Sequence, residues 1–182
     1  CRADLAAGLR ALQRALAAAE AAGDVPGQAS ARTSLALACY RLGLYASARQ
    51  LALQARQAHV APRPTAALRS IALYLANIEC RMGHAEAAAG FVRELAALGG
   101  EPCWATFATE LLGAIALLQG DARRSARLYR QAATEWRAQH DAVEEILSLT
   151  YRGRALLALG NAKAALAATR EAVRVHLRSG VH

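Results

Sequence analysis

Hydrophobic and polar positions along this chain follow one another with helical period, in a succession of amphipathic stretches. Four glycines, Gly43, Gly83, Gly120 and Gly160, stand 40, 37 and 40 residues apart, and each closes one stretch and opens the next. A regular period of this length is the mark of a stacked helical-hairpin repeat. Taking each glycine as the turn inside a hairpin predicts nine helices. The first, residues 2–22, is the second half of a truncated hairpin, and four full hairpins follow near 27–60, 65–98, 102–139 and 141–178. The expected organisation is a single repeat domain over 1–182, divided as 1–23, 24–63, 64–100, 101–139 and 140–182. The chain opens on Cys1, already inside a helical pattern, which reads as a piece of a longer protein; a lipidated first cysteine is the lesser alternative.

The glycines also serve as a ruler. Seven residues before them stand Ala36, Ala76, Gly113 and Gly153. Five residues after stand Ala48, Ala88, Ser125 and Ala165, and twelve after stand Ala55, Leu95, Ala132 and Ala172. Eleven of these twelve residues are Ala, Gly or Ser, an outcome with chance odds on the order of one in several thousand. Small side chains at fixed positions are what close helix–helix approach requires. Leu35, Leu75 and Leu112 precede the first small position, and Arg152 breaks that pattern in the last hairpin.

Local punctuation agrees with this division. Breakers fall between hairpins: Gly23-Asp24-Val25-Pro26-Gly27, the Pro62 and Pro64 pair, and Gly99-Gly100-Glu101-Pro102. Asp121 and Asn161 follow turn glycines as N-caps, and Asp141 with Glu144 has the form of a capping box.

The run Leu35-Ala36, Leu42-Gly43-x-Tyr45-x-x-Ala48 and then Ala55 resembles the tetratricopeptide repeat. The likeness extends over essentially the whole chain. Two features depart from it: the period exceeds the family's 34 residues, and Ala85, Ala122 and Ala162 replace the aromatic after the turn. Long, alanine-rich versions are similar to repeat arrays of large bacterial regulators, including ATP-dependent activators of the maltose type and cyclic-nucleotide signalling proteins. The resemblance implies an all-α, right-handed α-α superhelix that binds a partner peptide, helix or domain in a concave groove lined by first helices. By position it assigns to that groove Ser30, Thr33, Leu37, Tyr40 and Arg41, then Ser70, Leu73, Asn77 and Arg81, then Phe107 and Glu110, then Thr150 and Arg154. Asn77 would bond a peptide backbone and Arg41 and Arg81 would hold a carboxylate. Leu37 and Ala114 stand where a carboxylate clamp needs asparagine, which disfavours a chaperone-tail receptor.

Composition narrows the rest. With 182 residues, 55% hydrophobic and 20% charged, the chain has the make-up of an ordered globular protein. Its longest apolar run, Leu111 to Leu118, falls far short of the ~20 residues that cross a bilayer, and no membrane role is expected. Cys39, Cys80 and Cys103 have no metal-ligand or redox spacing, consistent with a reducing cytoplasm. The net charge of +8 comes almost wholly from arginine, and Lys163 is the one lysine. Arg123, Arg127 and Arg130 share one face of a second helix with Arg124 beside them. That stripe reads as a solvated face more than a nucleic-acid footprint, since acids interrupt it.

Trp104, Trp136 and Tyr129 are expected to anchor packing. His59, His84, His140, His176 and His182 are scattered without ligand spacing, so neither metal nor cofactor is expected. No nucleophile–base set or phosphate loop can be assembled. The functional expectation is a non-catalytic interaction or sensory scaffold of a bacterial regulator. The alternatives are self-association through open repeat ends and sensing of a small effector.

Overall fold

The computed structural model describes residues 2–58 and 66–180, so the readings that fall on Cys1, His59, Pro62, Pro64 and His182 lie outside the described residues. Alanine, leucine and arginine favour helix in nearly every segment, and the described residues form nine helices and no strand. They are α1 (Arg2–Ala21), α2 (Val25–Arg41), α3 (Tyr45–Ala58), α4 (Ala66–Met82), α5 (Ala85–Leu98), α6 (Pro102–Leu118), α7 (Ala122–Ala138), α8 (Ala142–Ala158) and α9 (Ala162–Ser179). The chain divides into two compact units, Cys1–Phe91 and Val92–His182. The hairpin period marks no such boundary: it falls inside α5, where the sequence reading has one uninterrupted domain.

Each ruler glycine ends a helix in the left-handed region, with φ of 77° at Gly43, 81° at Gly83, 81° at Gly120 and 72° at Gly160. The hydrogen bonds are those of a Schellman turn. Leu44 N–H reaches the Cys39 carbonyl at 2.9 Å and Gly43 N–H the Tyr40 carbonyl at 3.0 Å, and the same pair of bonds recurs at Gly83, Gly120 and Gly160. The α7–α8 turn repeats the geometry without a glycine. His140 has φ 60°, its N–H donates to the Arg137 carbonyl, and Asp141 N–H donates to the Trp136 carbonyl.

Four helices then start on side-chain caps. Asp24, Asp121, Asp141 and Asn161 accept from the backbone N–H of Gly27, Arg124, Glu144 and Ala164 at 2.8–3.1 Å. Of the capping box, the Asp141 half forms. Its reciprocal half is replaced, because the Asp141 N–H is already taken by the Schellman bond to Trp136.

Helix length explains why the last two steps differ. The 40-residue step from Gly120 to Gly160 contains α7 and α8, each 17 residues long, separated by three-residue turns. The 37-residue step from Gly83 to Gly120 contains α5, which has 14 residues where α7 has 17.

All twelve ruler positions are buried, including Leu95, the one large residue among them. In the first unit Ala36, Ala48, Ala52 and Ala55 pack against Ile71, Leu75 and Ile78, with Tyr40, Tyr45 and Phe91 closing the cluster. The second unit gathers Ala133, Leu149, Ala172 and Val175, and Trp136 and Tyr129 are buried as the sequence predicts. Gly113 shows why a small residue is needed: a Cβ there would lie 3.1–3.2 Å from three atoms of the Tyr129 ring.

Candidate functional site

The residues assigned to a groove lie on first helices, and the two units arrange them differently. In the first unit α2 and α4 carry nine of them, and Tyr40 and Arg81 meet across the two helices. Arg81 Nε donates to the Tyr40 hydroxyl at 3.3 Å, joining the ends of these helices. The Tyr40 ring also lies 5.9 Å from Tyr45. Arg41 and Ser30 are exposed, and Leu37, Ser70 and Leu73 are half-buried. Thr33 and Asn77 turn back on their own helices: Thr33 Oγ1 donates to the Ala29 carbonyl at 2.8 Å and Asn77 Nδ2 to the Leu73 carbonyl at 3.0 Å. That bond uses one of the two N–H donors of the Asn77 amide.

In the second unit the arrangement turns inward. Glu110 accepts from Trp136 Nε1 at 3.1 Å and from the Ser148 hydroxyl, so its carboxylate ties α6 to α7 and α8. Phe107 packs edge-on to Trp136 at 4.8 Å and lies 6.2 Å from Trp104. Burial pushes the Glu110 carboxyl up to about 7; Glu144 and Asp141 add to the rise, while the bonds from Ser148 and Trp136 oppose it. Glu110 thus serves the interior, because its position on α6 faces the two helices that follow. Thr150 is exposed with its hydroxyl bonded to the Ile146 carbonyl at 2.8 Å, and the Arg154 guanidinium lies 5.9 Å from the Tyr151 ring centre.

The strongest electrostatic features were not singled out from sequence. Glu79, fully buried on α4, bonds Arg49 Nε of α3 at 2.5 Å and lies 2.8 Å from His84 Nδ1. Burial alone would raise its pKa, yet the hydrogen bonds and charges of Arg49 and His84 outweigh it and hold the carboxyl below its ordinary value. Arg137 of α7 bonds Glu145 of α8 at 2.5 and 2.8 Å and Glu171 of α9 at 2.7 Å. A signal exists in the sequence: Glu79 and Glu145 occupy buried phases of otherwise apolar helix faces. Their partners lie on other helices, which periodicity alone does not pair.

The cysteines behave as packing residues. Burial raises the pKa of Cys39 and pushes that of Cys80 up to about 11, which keeps both thiols protonated. Among the described residues no group of three or more His, Cys, Asp and Glu could hold a metal ion. The arginines Arg123, Arg124, Arg127 and Arg130 are exposed on α7. An open depression of about 660 Å³ is lined by Arg124, Arg127 and Arg130 together with Glu135.

These features define the class as an all-α helical-hairpin repeat. A solved structure with some likeness is the crystal structure of BtubC (BKLC) from P. vanneervenii, 16% identical, covering 98% of this chain and 93% of that one with a TM-score of 0.47. No family model matches the chain, and no curated protein matches it. Among the described residues no helix is long and apolar enough to cross a membrane.

Proposed function

We propose that this chain is a non-catalytic, tetratricopeptide-like interaction module of a bacterial regulator, recognising a peptide or helix of a partner. The recognition surface is the α2–α4 face of the first unit. The observation that supports it is the Tyr40–Arg81 hydrogen bond, which joins two first helices into one surface where half-buried Leu37 and Leu73 accompany the exposed Arg41. Apolar contact would supply affinity, and the guanidinium groups would select an acidic side chain or a terminal carboxylate. Helices held in place by a packed core lose little conformational entropy when a ligand arrives.

The test is selection of displayed peptides on the immobilised chain, followed by affinity measurement against three variants. Binders should weaken at least about tenfold with Arg41→Ala and with Arg81→Ala, and be unaffected by Arg127→Ala on α7. Binders that respond to Arg127 alone, or to none of the three, would refute the assignment.

A further inference from the structure

Helix α7 is packed by both α6 and α8, and the face these neighbours leave to solvent is basic. Arg123, Arg124, Arg127 and Arg130 are exposed there, while Ala126, Tyr129, Ala133 and Trp136 are buried. The open depression beside this face is lined by Arg124, Arg127 and Arg130 with Gln131 and Thr134.

Two of the arginines hold fixed places in the repeat. Arg123 and Arg130 stand three and ten residues after Gly120, and Lys163 and Arg170 stand three and ten residues after Gly160. Lys163 and Arg170 are exposed on α9 as their counterparts are on α7. Arg123 and Arg130 stay exposed although α8 packs on α7, so these positions lie clear of the side that a succeeding helix takes. Arg137 of α7 bonds Glu171 of α9 at 2.7 Å, which brings the two second helices side by side.

The acids that interrupt this stripe in the sequence are engaged by other groups. Asp121 accepts from the Arg124 backbone N–H as a helix cap, Glu135 accepts from Gln131 Nε2 at 2.8 Å, and Glu171 pairs with Arg137. Among the described residues Arg123, Arg124, Arg127, Arg130, Lys163 and Arg170 form no ion pair.

Phosphate is the anion this face suits. A guanidinium is a rigid fork that matches phosphate oxygens two at a time. At a rise of about 1.5 Å per residue the row from Arg123 to Arg130 is about 10 Å long, too long for one phosphate group, whereas a duplex carries a charge every ~1.7 Å of its axis. An acidic partner helix would find little apolar anchorage, since Leu128 is the one aliphatic side chain of α7 larger than alanine and is half-buried. The aromatic residues of α7, Tyr129 and Trp136, are buried, so the face has no platform on which unpaired bases could stack. We infer that the basic face of α7, continued by Lys163 and Arg170 of α9, binds the phosphate backbone of a nucleic-acid duplex without reading its sequence. This surface belongs to the second unit and is distinct from the α2–α4 face, and either can fail without the other.

The test titrates the full chain into a fluorescein-labelled DNA duplex of about 20 base pairs and mixed sequence, read by anisotropy. Affinity should fall on the order of a hundredfold between about 50 and 200 mM salt, as release of counterions from about four phosphates requires. Arg127→Glu and Arg130→Glu should each weaken binding at least about tenfold. Arg14→Glu makes the same change of charge at an exposed site on α1 and should leave binding within about twofold. Far-UV circular dichroism should be unchanged in all three, because the sites are exposed. An equal loss with Arg14→Glu would overturn the proposal, since net charge and not this face would then hold the duplex. Absence of binding at about 50 mM salt, indifference to both α7 substitutions, or tighter binding of the single strand would overturn it as well. So would tighter binding of polyglutamate than of the duplex, which would make the occupant an acidic protein segment. Capture by phosphatidylglycerol vesicles with no duplex binding would also overturn it, making the face a lipid-surface element.

Discussion

Replacing Gly113 by alanine sets two effects of opposite sign against each other. An alanine in place of a helix-interior glycine ordinarily stabilises by about 1 kcal/mol, because the chain has less backbone freedom to lose on folding. At Gly113 the added Cβ would meet Tyr129 Cε2, Cδ2 and Cζ at 3.1–3.2 Å. That ring cannot easily yield, being buried and placed against Tyr151. Overpacking of this kind costs about 1–3 kcal/mol, so the net effect is expected to run from about neutral to about 2 kcal/mol destabilising.

Two other helix glycines are controls for the propensity gain. At Gly153 the nearest atoms would be Thr169 Oγ1 at 3.4 Å and the Ala165 carbonyl at 3.6 Å, ordinary contacts, and at Gly8 nothing lies within 4 Å. Thermal and urea unfolding of the three alanine variants should place Gly113→Ala below the other two by about 1–3 kcal/mol, at roughly 2–4 °C per kcal/mol for a chain of this size. If Gly113→Ala stabilises as much as Gly153→Ala, the close approach of Tyr129 does not constrain this position and the argument from small residues fails.

Three further outcomes are expected. Glu110 is raised from an ordinary 4.5 to about 7, so the folded state holds a proton that the unfolded chain releases. Its contribution is full below pH 4.5 and is lost as pH rises through about 7, on the order of 3 kcal/mol. Melting temperatures from pH 5 to 8 should therefore slope downward in wild type and flatten in Glu110→Gln; parallel slopes would exclude Glu110 as the source. Arg49→Ala leaves the Glu79 carboxylate buried with His84 alone and should cost about 1–3 kcal/mol. Glu79→Leu, by contrast, leaves two partners that are already hydrated and should be about neutral. The reverse order in urea midpoints would contradict the buried-acceptor reading, and because Glu79 is held low, its share of the stability fades as pH falls through its depressed value. Finally, His140→Gly should stabilise by about 0.5–1 kcal/mol, since a residue with a Cβ is strained at φ 60°; an unchanged melting temperature would argue against strain at that turn.

Most of the helical framework was legible in the sequence because its causes are local. A left-handed glycine ends a helix wherever it stands, an Asp or Asn cap starts the next, and the phase of small residues is carried by each helix separately. That is why the predicted hairpins coincide with α2 to α9 within a few residues, and why all twelve ruler positions are buried. His140 escaped the ruler, because an α7–α8 turn built like the others carries no glycine.

The candidate sites were less legible, for a reason of the same kind. Position in the repeat places Tyr40 and Arg81 on first helices, but their bond spans 41 residues and depends on how α2 and α4 lie together. Repeat position alone would equally leave Glu110 outward, whereas packing by α7 and α8 draws it into contact with Trp136 and Ser148. Sequence by itself determined the helices, their turns and the face each one buries, since those follow from backbone conformation and side-chain size. Only the tertiary structure decided which acid meets which arginine and that the chain divides at Phe91. Those outcomes turn on which helix lies over which, and one helix's periodicity does not encode its neighbour.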